Sequence, residues 1–234
     1  MALVRSPDGS NDFSGSIGGQ TYARNRGGLY VRRKVGAVNA NTALQQTVRA
    51  ILGSLAGAWQ ALTEEVRTAW TLYADNTPVI NRVGTPITLS GFNHFVRSNS
   101  ARLSAGFAIV TAAPVTFGLP DPIPSLAVAS TGIDSSDQEF DVEWTGAPAA
   151  LAEVGGGIVL FQGRPVNPSI GSFTGPYRFC GTIEGAAVAP ASPQTAETSY
   201  VTGLGQKCWL QYRVIRADGR VSNLFRIGPA DVVA

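Results

Sequence analysis

The sequence contains few of the side chains on which enzymes and metal proteins depend. Its 234 residues include one histidine, His94, and two cysteines, Cys180 and Cys208. These residues cannot assemble a zinc site of the usual kind. His94 lies between phenylalanines in GFNHFV, with no nucleophile and orienting carboxylate nearby to complete a catalytic triad. We therefore expect a structural histidine in a protein that is not an enzyme and uses no metal or cofactor.

Long apolar runs are missing as well. No segment approaches the roughly 20 apolar residues of a membrane span, and the opening MALVRSPDGSNDF lacks the apolar stretch of a signal peptide. The chain is therefore predicted to be soluble, to be made in the cytoplasm and to have no membrane partner. In a reducing cytosol the two cysteines are expected to remain buried free thiols, although their spacing permits a disulfide.

Lysine is scarce, and acidic residues are scarce in the first half. Sixteen of the 18 basic residues are arginine. Residues 1–105 hold 11 basic and 5 acidic residues, whereas residues 106–234 hold 7 basic and 11 acidic residues. Arginine offers a planar fork of donors that suits ordered contacts at interfaces, so the first half is predicted to carry the binding surface.

The glycine-rich and acidic motifs indicate no chemistry. The chain has no G-x-x-x-x-G-K-[ST] motif, and the GGG of EVGGGIV leads into a predicted strand, so neither common phosphate-binding pattern is present. Acidic residues alternate along EFDVEW, residues 139–144, and oxygen ligands on one strand face could bind Ca²⁺. A solvated face opposite a core face of Phe140, Val142 and Trp144 is favoured instead.

The functional signal lies in residues 14–39, SGSIGGQTYARNRGGLYVRRKVGAVN. This stretch holds six glycines and five basic residues, no acidic residue, and too few apolar residues for a core of its own. Its glycines disfavour long regular elements, but TYAR and LYVRRKV are β-prone pieces separated by NRGG. We predict a glycine- and arginine-rich extended arm over residues 1–38, with one hairpin or one strand.

The arm is expected to bind a partner outside its own fold. Because Leu29 and Val31 alternate with Tyr30 and Arg32, pairing with the sheet edge of another protein is favoured. Contacts with the phosphates and bases of a nucleic acid are the second interpretation, and a solvated tail is the third. The candidate partner-binding residues are Tyr22, Arg24, Arg26, Tyr30, Arg32, Arg33 and Lys34.

A small helical unit is predicted over residues 39–106. Apolar residues recur every three or four positions between Leu44 and Leu62, which is typical of an amphipathic helix of about five turns. Asn41 or Thr42 is expected to cap its first turn.

Two further helices complete this unit. Thr63 caps the second helix, whose first turn carries two glutamates, so the first two helices are expected to meet in a hairpin or a sharp bend. Ser90 caps the third helix, and Gly106 ends it. Trp59 and Trp70 are predicted to lie in the core of the unit.

The second half of the chain has the pattern of a β domain. A linker is predicted over residues 107–124, which contain Pro114, Pro120, Pro122 and Pro124. Over residues 125–234 the apolar period becomes two, and six or seven strands are predicted, among them EFDVEW, GGIVLFQGR, PYRFCGTI, TSYVTGL, KCWLQYRVI and VSNLFRIG. Asp218-Gly219 indicates a hairpin turn between the last two. We predict an immunoglobulin- or fibronectin III-like β-sandwich in an α+β protein.

A series of motifs runs through the first half of the chain. The pattern G-x-x-G-G-x-[TS]-[YF]-[AS]-R-N-R spans Gly15–Arg26, and V-N-x-x-T spans Val38–Thr42. W-x-x-L-T and R-x-x-W follow at Trp59–Thr63 and Arg67–Trp70, and S-G-x-N-x-F occupies Ser90–Phe95. In this combination the chain resembles a group of virion-associated proteins encoded by tailed bacteriophages and prophages.

The resemblance covers roughly residues 14–105 and leaves the β domain unmatched. It implies a structural protein of the virion: a capsid cement or decoration protein on the major capsid protein, a head-to-tail connector or neck protein, or a tail protein. It also implies partners among the virion proteins, with self-association in the assembled particle. A cytosolic nucleic-acid-binding protein is the remaining alternative.

Overall fold

The computed structural model describes residues 2–3, 15–25, 28–36, 39–81 and 85–233. The protein is of the α+β class, with three helices and a seven-stranded mixed β-sheet among the described residues. The chain divides into two compact units, Met1–Gln46 and Thr47–Ala234.

The first unit contains a four-stranded antiparallel sheet, which we call the N-terminal sheet. Its strands are β1 (Ala2–Leu3), β2 (Gly15–Ile17), β3 (Gln20–Asn25) and β4 (Gly28–Arg33), in the order β1-β4-β3-β2. Gly18 and Gly19 both have positive φ, 55° and 82°, which is the backbone of a tight hairpin turn between β2 and β3. The predicted pieces TYAR and LYVRRKV therefore do form strands, and the described part of the arm contains more sheet than the one hairpin or strand expected.

Helix α1 (Ala43–Ala61) begins with a reciprocal cap. The Gln45 backbone N–H donates to Thr42 Oγ1 at 3.3 Å, and the Thr42 N–H donates to Gln45 Oε1 at 3.2 Å. This arrangement satisfies two donors that a helix start leaves unpaired. Of the two candidate caps, Thr42 is the one used.

The second unit continues with helices α2 (Glu64–Asp75) and α3 (Gly91–Ser104). Thr63 has the extended backbone of an N-cap but makes no side-chain cap hydrogen bond, whereas Ser90 Oγ accepts from the Asn93 N–H at 3.3 Å. Gly106, with a φ of 89°, follows the last turn of α3. The predicted starts of both helices and the predicted end of α3 are confirmed.

The helices pack around an aromatic core. Leu55, Trp70, Tyr73 and Phe95 are each 1% exposed or less, and Trp59 packs against them. The Trp70 indole Nε1 donates to the Thr111 carbonyl at 2.8 Å, so the buried ring is also hydrogen-bonded. The prediction that Trp59 and Trp70 belong to this core is confirmed.

The main sheet contains seven strands, and a two-stranded ribbon precedes it. The ribbon consists of β5 (Val79–Ile80) and β6 (Pro86–Ile87). The sheet consists of β7 (Ala127–Asp134), β8 (Glu139–Glu143), β9 (Gly157–Gly163), β10 (Tyr177–Glu184), β11 (Gln194–Glu197), β12 (Lys207–Ile215) and β13 (Phe225–Val233). Its order is β10-β9-β12-β13-β7-β8-β11. β13 pairs antiparallel with β12 and parallel with β7, which makes the sheet mixed.

The sheet curls around one hydrophobic core. Its two outer strands, β10 and β11, contact each other, and strands from the whole sheet contribute buried residues to a single cluster. Phe140, Val142 and Trp144 are at most 5% exposed within it, whereas Glu139 and Glu143 are exposed. The face assignment predicted for EFDVEW is therefore confirmed.

One predicted strand of the β domain is not formed. The segment TSYVTGL was expected to be a strand, but the strand is β11, which ends at Glu197 just before it. The backbone N–H groups of Ser199 and Thr202 donate instead to the side chains of Gln162 and Gln138, at 2.7 Å each. Two glutamine side chains thus replace the ladder partners that a strand would need.

The two cysteines are free thiols, as predicted. Cys208 is buried and Cys180 is half-buried. Burial raises the pKa of both thiols. The raised values make both thiols poor nucleophiles at neutral pH.

The segment predicted as a linker, residues 107–124, packs against its neighbours. Val110 exchanges two hydrogen bonds with the Asn99 side chain, at 2.8 and 3.0 Å. The Ile123 N–H donates to Tyr212 Oη at 3.0 Å. Because α3 and the sheet both contact this segment, helices and sheet form one compact unit.

Candidate partner-binding surface

Five of the seven predicted partner-binding residues lie on two adjacent strands of the N-terminal sheet. β3 and β4 pair antiparallel, with Thr21 opposite Arg32 and Gln20 opposite Arg33. Residues directly opposite each other share a face, and neighbours along a strand point to opposite faces. The register therefore divides the predicted residues between the two faces of the sheet.

One face carries Tyr30 and Arg32. Arg32 is exposed and Tyr30 is half-buried, and Thr21 lies on the same face opposite Arg32. Ser16 and Thr21 are joined by a hydrogen bond of 2.9 Å between their hydroxyls. This face presents a guanidinium beside an aromatic ring and two hydroxyl groups.

The other face carries Tyr22 and Arg33. Tyr22 Oη donates to Gln20 Oε1 at 3.2 Å, and Val31 lies opposite Tyr22 in the register. Arg33 is exposed, and Tyr22 is half-buried. Each face thus combines an exposed arginine with a partly covered tyrosine, so neither is a purely apolar face that a core would cover.

The remaining predicted residues are placed only partly. The backbone of Arg24 pairs with Leu29 near the end of β3. Lys34 follows β4, is exposed, and donates its backbone N–H to the Gly19 carbonyl at 2.7 Å. Arg26 lies outside the described residues, so its predicted role has no structural counterpart.

The N-terminal sheet also offers a free backbone edge. β2 is its outer strand in the described chain, and Ile17 on that strand is 75% exposed. An outer strand presents unpaired N–H and C=O groups that a strand of another protein can join. No acidic residue occurs between residues 15 and 36, so the basic side chains of the sheet favour an acidic or carbonyl-rich partner.

His94, predicted to be a structural histidine, lies in the core of the helical unit, and its Nδ1 has no hydrogen-bond partner among the described residues. Its side chain is fully buried, its Nε2 lies 3.0 Å from the Thr77 carbonyl, and its ring meets that of Tyr73 edge-on. Burial lowers its pKa from the ordinary value. No serine or cysteine hydrogen bond to the ring is found among the described residues, so the geometry does not assemble a nucleophile and base.

Several clefts lie outside the predicted site, and two of them carry charged side chains of interest. One, of about 560 Å³, is lined in part by Asp134, Asp137, Glu139 and Asp141. Within the described ranges, no group of three or more His, Cys, Asp or Glu residues is arranged to hold a metal ion. Hydrogen bonds from the Ser136 hydroxyl and from the backbone N–H groups of Ser136 and Asp137 lower the pKa of the Asp134 carboxyl. One of the carboxyl groups in the cleft is therefore stabilised in its charged form.

The other cleft, lined by Arg213, was missed by the sequence reasoning. It lies between α3 and strands β9, β10 and β12, and its volume is about 230 Å³. The available signal was an arginine inside the apolar run KCWLQYRVI, at a position that alternation assigns to the face away from the core. Which residues meet Arg213 there depends on strand pairing between distant segments.

No family model, no curated protein and no solved structure matches the chain. In the described part of the chain, no helix has both the length and the apolar character of a membrane span. The function is therefore inferred from the geometry and charge of the described residues and from the motifs of the first half.

Proposed function

We propose that the chain is a non-enzymatic structural protein of a tailed-bacteriophage virion, and specifically a capsid cement or decoration protein. In this proposal residues 1–105 bind the shell of the major capsid protein. The observation that carries it is the N-terminal sheet, a compact unit of its own with exposed arginines on both faces and an open strand edge. Exposed arginines and an outer strand are suited to attachment to a repeating lattice.

The attachment combines backbone pairing with arginine contacts. The outer strand β2 would pair with a strand edge of a capsid subunit, and Arg32 or Arg33 would bind its carboxylates or carbonyl groups. Each contact is weak by itself, but many copies on one shell, or several contacts per copy, act together. No acidic residue lies on the described strands of the sheet, and the side chains of Arg32 and Arg33 are exposed to solvent.

The second unit is proposed to be the outward or inter-subunit module, with an immunoglobulin- or fibronectin III-like sandwich. The supporting observation is that the seven-stranded sheet curls around a single core and brings its outer strands β10 and β11 into contact. Tyr212 Oη accepts from the Ile123 N–H at 3.0 Å and ties β12 to the segment before β7.

The direct test is the copy number of the chain in purified particles, measured by quantitative mass spectrometry against the major capsid protein. A cement protein is expected at one copy per capsid subunit or at a simple fraction of that number. A fixed complement of about a dozen copies or fewer would replace the cement assignment by a neck or tail assignment, because rings at those positions have fixed low symmetry.

Absence from purified particles would overturn the virion proposal itself. The same arginines and tyrosines would then indicate a nucleic-acid-binding protein, for which DNA affinity should fall steeply with salt. The net acidic charge of residues 106–234 argues against that function, since it repels the same polymer.

A further inference from the structure

Arg213 is a half-buried arginine on β12. Its Nε is buried and has no hydrogen-bond partner among the described residues, and none of their ion pairs includes Arg213. Burial lowers the pKa of its guanidinium, and no carboxylate offsets that effect. Buried polar atoms are nearly always paired, and a bound anion would supply the partner that the described residues do not.

Two other arginines of the unit, Arg102 and Arg97, donate to backbone carbonyls. Arg102 donates to the carbonyls of Ala108, Gly155 and Arg216, at 2.7 to 3.0 Å. Arg97, close to Arg213, donates to the carbonyls of Val221 and Ser222, at 2.6 and 2.9 Å. Burial and the charge of Arg213 lower the pKa of Arg97 to about 10. The guanidiniums of Arg97 and Arg213 therefore lie near each other. Among the described residues, only that of Arg97 makes hydrogen bonds.

The cleft beside Arg213, the Arg213 cleft, has apolar walls and polar groups at one side. Val159 and Phe161 alternate along β9, and Val159 lies opposite Arg213, so all three share the sheet face that carries α3. Phe179 of β10 lies opposite Phe161, and the two rings meet edge-on at 6.3 Å. Ser100 and Ser104 of α3 line the other side. No acidic side chain lines the cleft among the described residues.

We infer that the Arg213 cleft binds a small carboxylate whose apolar body lies against Phe161 and Phe179. The guanidinium fork of Arg213 matches the two oxygens of a carboxylate, and the Ser104 hydroxyl can donate to the same group. A volume of about 230 Å³ exceeds the roughly 150 Å³ that accommodates benzene in a protein cavity. A benzene-sized body with one carboxylate therefore fits the space. The carboxylate can belong to a free molecule or to the acidic side chain of another protein.

The test is titration of the full chain with benzoate, followed by heteronuclear NMR. Benzoate is expected to shift the amide signals around Arg213 and Phe179, and Arg213→Met should weaken its binding by at least about tenfold. Arg226→Met is the matched control, since Arg226 is exposed on β13 opposite Gln211 and does not line the cleft. Benzamide, which keeps the ring and lacks the charge, should bind at least about tenfold more weakly than benzoate.

Several results would overturn the inference. Failure of benzoate to bind the wild-type chain would do so, and so would equal affinity for the Arg213→Met variant. Tighter binding of inorganic phosphate than of benzoate would contradict the carboxylate assignment. If Arg213→Met does not fold, Ser104→Leu fills the cleft while keeping the guanidinium, and unchanged benzoate binding by that variant would count against the site.

Stability provides a second readout that a structural arginine would not match. Methionine keeps the apolar stem of Arg213 and removes a half-buried charge that has no partner among the described residues, so Arg213→Met is expected to melt at or above the wild-type temperature.

A capped tripeptide with glutamate between two alanines, compared with its glutamine counterpart, distinguishes a free carboxylate from a protein side chain as the ligand. Competition of the glutamate peptide with benzoate assigns the cleft to a protein side chain, and its failure assigns it to a free carboxylate.

Discussion

The two units of the chain are stabilised in different ways. In residues 47–234 large side chains such as Trp70, Phe95 and Leu160 are fully buried. In the first unit, every side chain whose exposure is described, between residues 15 and 46, is half-buried or exposed. Burial of apolar area stabilises the second unit by about 25 cal/mol per Å². The N-terminal sheet depends mainly on backbone pairing, which is marginal in water without a hydrophobic face.

The comparison bears on the proposal that the N-terminal sheet binds a partner. Several charges in the second unit are paired internally, as in Arg216 with Glu153 at 2.6 Å and Arg220 with Asp218 at 2.7 Å. The N-terminal sheet has arginines and no acidic residue between residues 15 and 36 to pair with them. Under the proposed function, the second unit folds around its own core, and the N-terminal sheet attaches the chain to its partner.

The largest expected effect is on the core of the second unit. Trp70→Ala removes a fully buried ring and its hydrogen bond to Thr111, so the free energy of unfolding should fall by about 3–5 kcal/mol. Chemical denaturation followed by far-UV circular dichroism measures this change. Leu72→Ala is the control on the same helix, since Leu72 is 56% exposed and should cost less than about 1 kcal/mol. Equal losses in the two variants would contradict the assigned core.

A pair of glycines sharpens the account of helix packing. A Cβ at Gly91 would lie 2.7 Å from the Thr71 backbone nitrogen, so Gly91→Ala should cost about 1–3 kcal/mol by forcing α3 away from α2. A Cβ at Gly53 meets nothing within 4 Å, and Gly53→Ala should stabilise α1 by about 0.5–1 kcal/mol. The same substitution should therefore lower the melting temperature at residue 91 and raise it at residue 53, and thermal unfolding of both variants measures the two changes.

The single histidine makes the second unit sensitive to pH. Burial lowers the pKa of His94, so the unfolded chain binds a proton more readily than the folded chain. The free energy of unfolding should be highest above the ordinary value of 6.5 and should fall as the pH drops below it, by up to about 1.4 kcal/mol per unit. Denaturation between pH 8 and 5 measures the slope. His94→Gln should flatten it, and an unchanged slope in that variant would assign it to other groups.

The smallest expected effect on stability belongs to the N-terminal sheet. Arg32 and Arg33 are exposed, so their joint replacement by glutamate should change the free energy of unfolding of the second unit by less than about 0.5 kcal/mol. The two residues lie on opposite faces, because neighbours along β4 alternate. Denaturation of the full chain checks this expectation, and a loss of several kcal/mol would mean that the sheet supports the core.

Local signals predicted much of this fold. The caps at Thr42 and Ser90, the stop at Gly106 and the inward residues of EFDVEW were all readable, because each depends on residues within one turn or one strand. Pairing between distant segments was not readable. The contact of Ile123 with Tyr212, the replacement of a strand by contacts to Gln138 and Gln162, and the Arg213 cleft all arise from residues more than 30 positions apart.

The candidate surface was predictable in composition but not in geometry. The sequence identified the basic residues, including Arg32 and Arg33, but the turn at Gly18 and Gly19 adds a strand that it did not indicate. Only the register then assigns Arg32 and Arg33 to different faces.

Incorporation of charge-reversed variants into particles tests the central claim most directly. Purified particles carrying Arg32→Glu with Arg33→Glu should contain at least about tenfold fewer copies than wild type, while Arg164→Glu, an exposed arginine of the second unit, should leave the copy number unchanged. The two single variants then identify the face that meets the shell. Wild-type copy number in the folded double variant would contradict the claim that the N-terminal sheet attaches the chain to the virion.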